Sequence, residues 1–335
     1  MTSNFAIGYT ENLPVSDPNC LVERQTAMPE LRPKDVLVDV YAVSVNPIDM
    51  KTRQTAPAGE FRVLGFDAAG VVKQVGEDVT QFQPGDEVFY AGTLNRPGTN
   101  QRYQAVDERI VAHRPKQISM TEAASIPLVA LTAWECLFDR LRLTADSAGQ
   151  LLIVGATGVV GSMMIQLVKA LLPKVEIIAT ASNSERAEFV RGLGADHVVN
   201  HRADLAEQVK QVAPDGVQWL FSAYSEGNID TYAEVVAPFG EIVAIDGGPR
   251  EIIALKQKSI TWHWEFMFTR SMYETEDMDQ QHKALEKIAE LADSGLIVPT
   301  ISHSYAPISA ANLRQAHADI EIGHTLGKIV LNGWE

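Results

Sequence analysis

Cysteine is scarce in this sequence: Cys20 and Cys136 are the only two in 335 residues. Two distant thiols make neither a disulfide framework nor a thiolate cluster for a metal, which points to a reducing, cytoplasmic setting. Long apolar runs are missing as well. None approaches the roughly 18–20 residues that cross a bilayer, and the opening MTSNFAIGYTENLP lacks the basic start and apolar stretch of a secretory leader. Positive charge is the third scarcity. Lys and Arg number 28 against 43 Asp and Glu, a formal net charge of −15, with no clustered basic run. Such a surface excludes nucleic acid and anionic membrane as partners, because binding there relies on basic residues that neutralise phosphates. An anionic ligand must therefore be held by a few well-placed groups.

What is present is the composition of a folded globular protein, 46% hydrophobic and 21% charged, in a chain too long for one ordinary core. Two domains are expected. The first ~120 residues read mainly as strands, with β-branched runs over Val36–Val45 and Ala68–Val75 and turn signals at Pro84–Asp86 and Arg96–Asn100. This predicts a compact, barrel-like β domain. At Ser119 the texture changes. "SMTE" is a capping-box pattern that opens a helical stretch.

An alternation follows. Strands are predicted over Leu151–Val154, Glu176–Ala181, His197–Asn200, Val217–Ser222 and Glu241–Ile245. Helices are predicted over Ser162–Leu172, Glu185–Leu193, Ala203–Ala213 and Ile229–Val236. Repeated βαβ units demand a parallel sheet covered on both faces, so the fold class is α/β with a doubly wound second domain. A strand–helix–strand tail over Thr300–Leu331 is expected to return to the first domain.

The first strand of that series breaks into "GATGVVG". Gly155, Gly158 and Gly161, with Thr157, Val159 and Val160 between them, form a turn and a helix start. This arrangement aims backbone N–H groups and the positive helix end at an anion, with no side chain where a pyrophosphate must approach. The spacing departs by one residue from G-x-G-x-x-G, and a tight turn that serves packing alone is the competing reading. The complete βαβ series favours dinucleotide binding.

The end of the second strand selects the dinucleotide. A carboxylate there accepts hydrogen bonds from the ribose of NAD, yet here Ser182 stands in its place, followed by Arg186 and later by His201. Removing the carboxylate lifts the repulsion of a 2′-phosphate, and Arg186 and His201 are candidate donors to it. This favours NADP(H). Each residue also has a plain reading: Ser182 with Glu185 as a capping box, Arg186 as a solvated helix residue, His201 as a surface histidine.

The motifs "VSVNPIDMK", "GFDAAGVVKQVG", "FQPGDEVFY", "IPLVALTAWE", "VGATGVVGSMMIQLVK", "LGADHVVNHR", "FGEIVAID" and "LGKIVL", in this order, resemble the medium-chain dehydrogenase/reductase superfamily over nearly the whole chain. The nearest likeness is to its quinone-oxidoreductase-like members, many called zinc-type alcohol dehydrogenase-like. The resemblance implies a GroES-like catalytic domain over residues 1–125, completed by 300–335, and a Rossmann NADP(H)-binding domain over 126–299. It also implies an active site in the cleft between the domains and a homodimer built by pairing Rossmann edge strands.

Zinc-bearing members place a Cys, a His and a later Cys on the metal. The matching positions hold Asn46 and Phe66, and "IPLVALTAW" brings no Cys. Asp49 and Asp67 remain, but two carboxylates without a nearby His make a poor zinc site. The expectation is no metal. Without that Lewis acid the chemistry shifts to acceptors whose reduction spreads negative charge, namely quinones and α,β-unsaturated carbonyls.

By resemblance Asn46 and Thr132 orient the nicotinamide, with Asp49, Lys51 and Tyr90 as polar candidates at the cleft and Lys328 reaching toward the cofactor phosphates. The alternatives stay open: Asn46 as a turn residue before Pro47, Asp49 as a cap or a partner of Lys51, Tyr90 as a half-buried strand residue, Lys328 as a solvated strand end. The block "SITWHWEFMFTRSM" is either core and dimer packing, or a wall of the substrate pocket at Phe266–Phe268. Rival functions are a zinc-dependent alcohol dehydrogenase and a low-turnover cofactor-binding sensor or structural protein.

Overall fold

The β-branched run at 36–45 forms an eleven-residue strand onto which the first domain is built. The structure, a computed structural model, describes residues 3–57, 59–323 and 325–334. In chain order it starts with β1 (Asn4–Tyr9), β2 (Val22–Thr26), β3 (Asp35–Val45), α1 (Pro47–Thr55), β4 (Arg62–Val63) and β5 (Ala68–Val75). There follow β6 (Glu87–Tyr90), β7 (Tyr103–Asp107), β8 (Val111–His113), α2 (Met120–Ala123) and α3 (Pro127–Trp134). The "SMTE" cap is present: Ser119 Oγ accepts from the N–H of Glu122, whose carboxylate accepts from the N–H of Ser119.

The alternating region holds β9 (Gly149–Val154), α4 (Val159–Leu171), β10 (Val175–Thr180), α5 (Ser184–Gly192), β11 (His197–Val199), α6 (Leu205–Val212), β12 (Val217–Ser222), α7 (Ile229–Val235), β13 (Val236–Ala244) and β14 (Thr261–Trp264). The chain ends with α8 (Thr269–Tyr273), α9 (Gln280–Asp293), β15 (Ile301–Tyr305), α10 (Ala310–Ile322) and β16 (Lys328–Asn332).

Two compact units result, Met1–Leu128 with Phe268–Glu335, and Val129–Met267. The boundary thus differs from the expected 126–299, since residues from Phe268 onward fall to the first unit. The reason is α9: Glu286 accepts from the N–H of His113 at 2.8 Å, and His282 Nδ1 meets the carbonyl of Val111 at 2.6 Å, which ties the helix to β8.

In the first unit a sheet runs β15-β16-β3-β5-β6-β8, with β7 also pairing β3, beside a smaller sheet β2-β1-β4. As expected, the tail returns here, β16 pairing antiparallel with β3. Its core gathers Ile7, Val38, Val43, Leu64, Val88, Val111, Leu313 and Leu331. In the second unit six parallel strands run β11-β10-β9-β12-β13-β14. The order reverses at β9, so a crevice opens at the carboxyl ends of β9 and β12, where doubly wound sheets bind ligands. Leu152, Ile178, Leu220, Val235 and Ile242 are among the residues packing its interior.

Candidate active site

The glycine turn lies at that crevice. Gly155 adopts φ +87°, and a Cβ there would stand 2.9 Å from Ala223 Cβ, so only glycine follows β9 without strain. Its N–H donates to Thr180 Oγ1 at 3.0 Å, and the Thr180 hydroxyl donates to the carbonyl of Ile153 at 3.2 Å. The end of β10 thereby fastens the turn after β9. Gly158 is the N-cap of α4 and supplies no capping side chain, which leaves the first-turn N–H groups at Val159, Val160 and Gly161 for an incoming anion. The helix starts three residues before the expected Ser162.

From the start of α5, Arg186 Nη1 donates to Thr157 Oγ1 at 3.0 Å, so this guanidinium is drawn onto the glycine turn. The N-cap of α5 is Asn183, whose side chain accepts from the N–H of Arg186 at 2.9 Å. Ser182 therefore does not cap the helix. The exposed His201 titrates below its ordinary value through partial desolvation and then the charges of Arg202 and Arg186. The charge of Arg186 thus reaches His201.

The second constellation is in the first unit, and strand register builds it. Val43 pairs with Ala68 and Val45 with Ile329, so Asp67 and Lys328 come up beside Ser44 and Asn46. Asp67 Oδ2 accepts from Asn46 Nδ2 at 2.7 Å, Ser44 Oγ at 2.8 Å and Lys328 Nζ at 2.8 Å. Its Oδ1 accepts from the N–H of Leu128 at 2.7 Å. The Lys328 ammonium also donates to Asn46 Oδ1. Asn46, Asp67 and Lys328 are all buried. Lys328 is therefore no solvated strand end.

Asp49, at the third position of α1, accepts from the N–H of Asn46 at 2.8 Å and of Gly65 at 2.9 Å. It binds the start of α1 to the segment before Phe66. Burial pushes its carboxyl up to about 7, helped by the charge of Asp67 and opposed by its backbone donors and by Lys328. Lys51 is exposed.

Two family descriptions match the chain: "Alcohol dehydrogenase GroES-like domain" over residues 32–116 and "Zinc-binding dehydrogenase" over residues 193–331. A zinc-type alcohol dehydrogenase-like protein of Staphylococcus aureus is 40% identical over 333 residues, covering 97% of this chain and 99% of its own. The chain belongs to the medium-chain dehydrogenase/reductase superfamily. Among solved structures, a Rhizobium etli protein assigned as a zinc-dependent alcohol dehydrogenase is similar to this dehydrogenase/reductase at TM-score 0.95. It is 41% identical and covers 100% of this chain and 99% of its own. The quinone oxidoreductase of Coxiella burnetii is similar at TM-score 0.82 and 25% identity, covering 99% of this chain and 100% of its own. The superfamily is one of oxidoreductases, and its Rossmann domain is the NAD(P)-binding part.

Several of those names carry zinc, and the donors in this dehydrogenase/reductase do not fit it. Among the described residues no group of three or more His, Cys, Asp or Glu is arranged so that it could hold a metal ion. Cys20 and Cys136 are buried, and burial raises the pKa of both thiols. The aromatic ring of Phe66, which cannot ligate, packs edge-on against Phe268 at 5.4 Å.

Tyr90 is corrected. It is fully buried in the core of the first unit, its hydroxyl donating to Gln104 Oε1 at 2.8 Å, and burial drives its pKa up. A four-residue strand reading "EVFY" does not reveal from sequence which face the tyrosine hydroxyl takes. Phe268 and Met267 are buried, while Phe266 is about half exposed at 45%. Thr132 is buried on α3.

Sequence reasoning missed Thr180 and a network after β12 and β13. Ser225 donates from N–H and Oγ to Asp246, and Arg250 bridges both residues. Beside it Tyr224, 68% exposed, flanks Gly155. Their one available signal was position, immediately after strands at the reversal point of the sheet.

Proposed function

We propose that this chain is a zinc-independent, NADPH-dependent oxidoreductase that reduces quinones or α,β-unsaturated carbonyls by direct hydride transfer. The observation that carries the reading is the Arg186 guanidinium bonded to Thr157 on the glycine turn, with Ser182 where an NAD site has a carboxylate. Gly155, Thr157, Gly158, Val159, Val160 and Gly161 would cradle the pyrophosphate. Ser182, Arg186 and His201 would hold the 2′-phosphate, and Asn46 and Thr132 would orient the nicotinamide. When bound, NADPH supplies two electrons and a proton as hydride, and a second proton from water completes the hydroquinone or saturated carbonyl.

The ill-fitting zinc donors support acceptors that spread their charge, and the likeness to a quinone oxidoreductase supports the same class. Asp49, with both oxygens engaged by backbone donors, serves as a brace beside this site. The protein acts as a cytoplasmic homodimer joined through the open edge of β14.

Steady-state NADPH consumption with a panel of quinones and enones tests the activity. Binding without turnover on any acceptor would mark a sensor instead. Arg186→Ala tests the cofactor: NADPH binding should weaken about tenfold or more while NADH binding stays nearly unchanged, because one charge-assisted bond to the 2′-phosphate is lost. Equal losses for both cofactors would refute the assignment.

A further inference from the structure

Lys328 is a lysine almost without solvent, 3% exposed, in the constellation of Ser44, Asn46 and Asp67. An ammonium only donates, so the Asn46 atom facing it must be the carbonyl oxygen. The amide nitrogen is then left for Asp67, 2.7 Å away. Both ends of the Asn46 amide are therefore set by one ion pair. The remaining acceptor capacity of Asp67 is taken by Ser44 and by the N–H of Leu128. A divalent ion entering here would meet a like charge already in place and a carboxylate already saturated.

We propose that Lys328 is the resident cation of this site: its ammonium takes the electrostatic place of a metal, and it acts as a positioning residue that fixes the Asn46 amide through Asp67. The assignment rests on the reading of the chain as a zinc-independent oxidoreductase. It replaces the expectation that Lys328 reaches cofactor phosphates, since its ammonium is committed to Asn46 and Asp67.

Three measurements on the full-length protein test it. The first is zinc content after equilibration with Zn²⁺ and gel filtration. Far less than one ion per chain is expected, and one retained ion per chain overturns the proposal. The second compares Lys328→Met with Lys328→Arg. The Met variant should keep NADPH affinity within about threefold while kcat with a quinone falls about tenfold or more, and Arg should recover part of kcat by restoring the charge. Unchanged kcat, or NADPH binding weakened about tenfold with kcat intact, overturns the proposal and in the second case returns Lys328 to the cofactor phosphates.

The third is a stability cycle over Lys328→Met, Asp67→Asn and the double variant. The double variant should melt above the additive expectation, because each single change leaves a buried charge unpaired. Strict additivity overturns the pairing. Should Lys328→Met fail to fold, the Arg variant, the double variant and the zinc content still decide. If the unmodified protein turns over no acceptor, the oxidoreductase reading falls. The cycle and the zinc content then judge Lys328 on their own.

Discussion

A Cβ added at Gly161 would stand 2.5 Å from the carbonyl oxygen of Gly155 and 2.7 Å from Ala156 Cα, both backbone atoms that cannot swing aside. At Gly158 the nearest atom lies at 3.2 Å, on an exposed N-cap. The three glycines look alike in the sequence, yet their constraints differ. Gly161→Ala must push α4 off the turn, so it should cost about 1–3 kcal/mol in urea unfolding and loosen dinucleotide binding, while Gly158→Ala, whose Cβ meets one oxygen at 3.2 Å, should cost less. A Gly161→Ala protein as stable as Gly158→Ala would contradict the close-packing account. Ser182 and Asn183 make the same point. Both residue types cap helices, and only the backbone geometry assigns the role to Asn183.

Among the elements, α10 carries a feature that no periodicity discloses. His317 is fully buried, and neither ring nitrogen has a hydrogen-bond partner among the described residues. Burial, followed by the positive charge of Arg53 on α1, holds its pKa down to about 3 against an ordinary value of 6.5. Above pH 6.5 the ring is neutral whether folded or unfolded, so stability is whole. As pH falls from 6.5 toward 3 the unfolded chain takes a proton that the folded chain refuses, and stability declines. The full loss is up to about 4–5 kcal/mol. Thermal unfolding between pH 7 and 4 should therefore fall more steeply for the natural protein than for His317→Leu, which has no proton to gain. Parallel curves would show that the acid sensitivity arises elsewhere.

For the whole molecule the open question is the edge of the parallel sheet. Among the described residues strand β14 pairs only with β13, and its last residue, Trp264, is 48% exposed. A row of unpaired backbone groups beside a large apolar side chain is suited to a second copy of the same edge. Trp264→Lys should abolish the proposed dimer in sedimentation. With a formal charge of −15 on each chain, added salt should tighten that proposed association by screening the repulsion. A protein that sediments as a monomer at every concentration and salt level would end the edge-pairing reading.

The order of elements, the parallel sheet, the glycine turn and the capping box at Ser119 were legible in the sequence alone. Each is written locally, in the period of apolar residues or in residues that tolerate one backbone conformation. The missing carboxylate at Ser182 and the charge of Arg186 were legible for the same reason, being fixed offsets from a recognisable strand. What only the tertiary structure decided are the long-range meetings. Lys328 and Asn46 stand 282 positions apart, and antiparallel register between β16 and β3 sets the ammonium against the amide. A shift of one residue would have sent Lys328 to the opposite face of the sheet, and nothing in the local sequence selects between the two. Tyr90 went inward and residues from Phe268 onward joined the first unit for a like reason: burial depends on what packs against a face, and that partner lies far away in the chain.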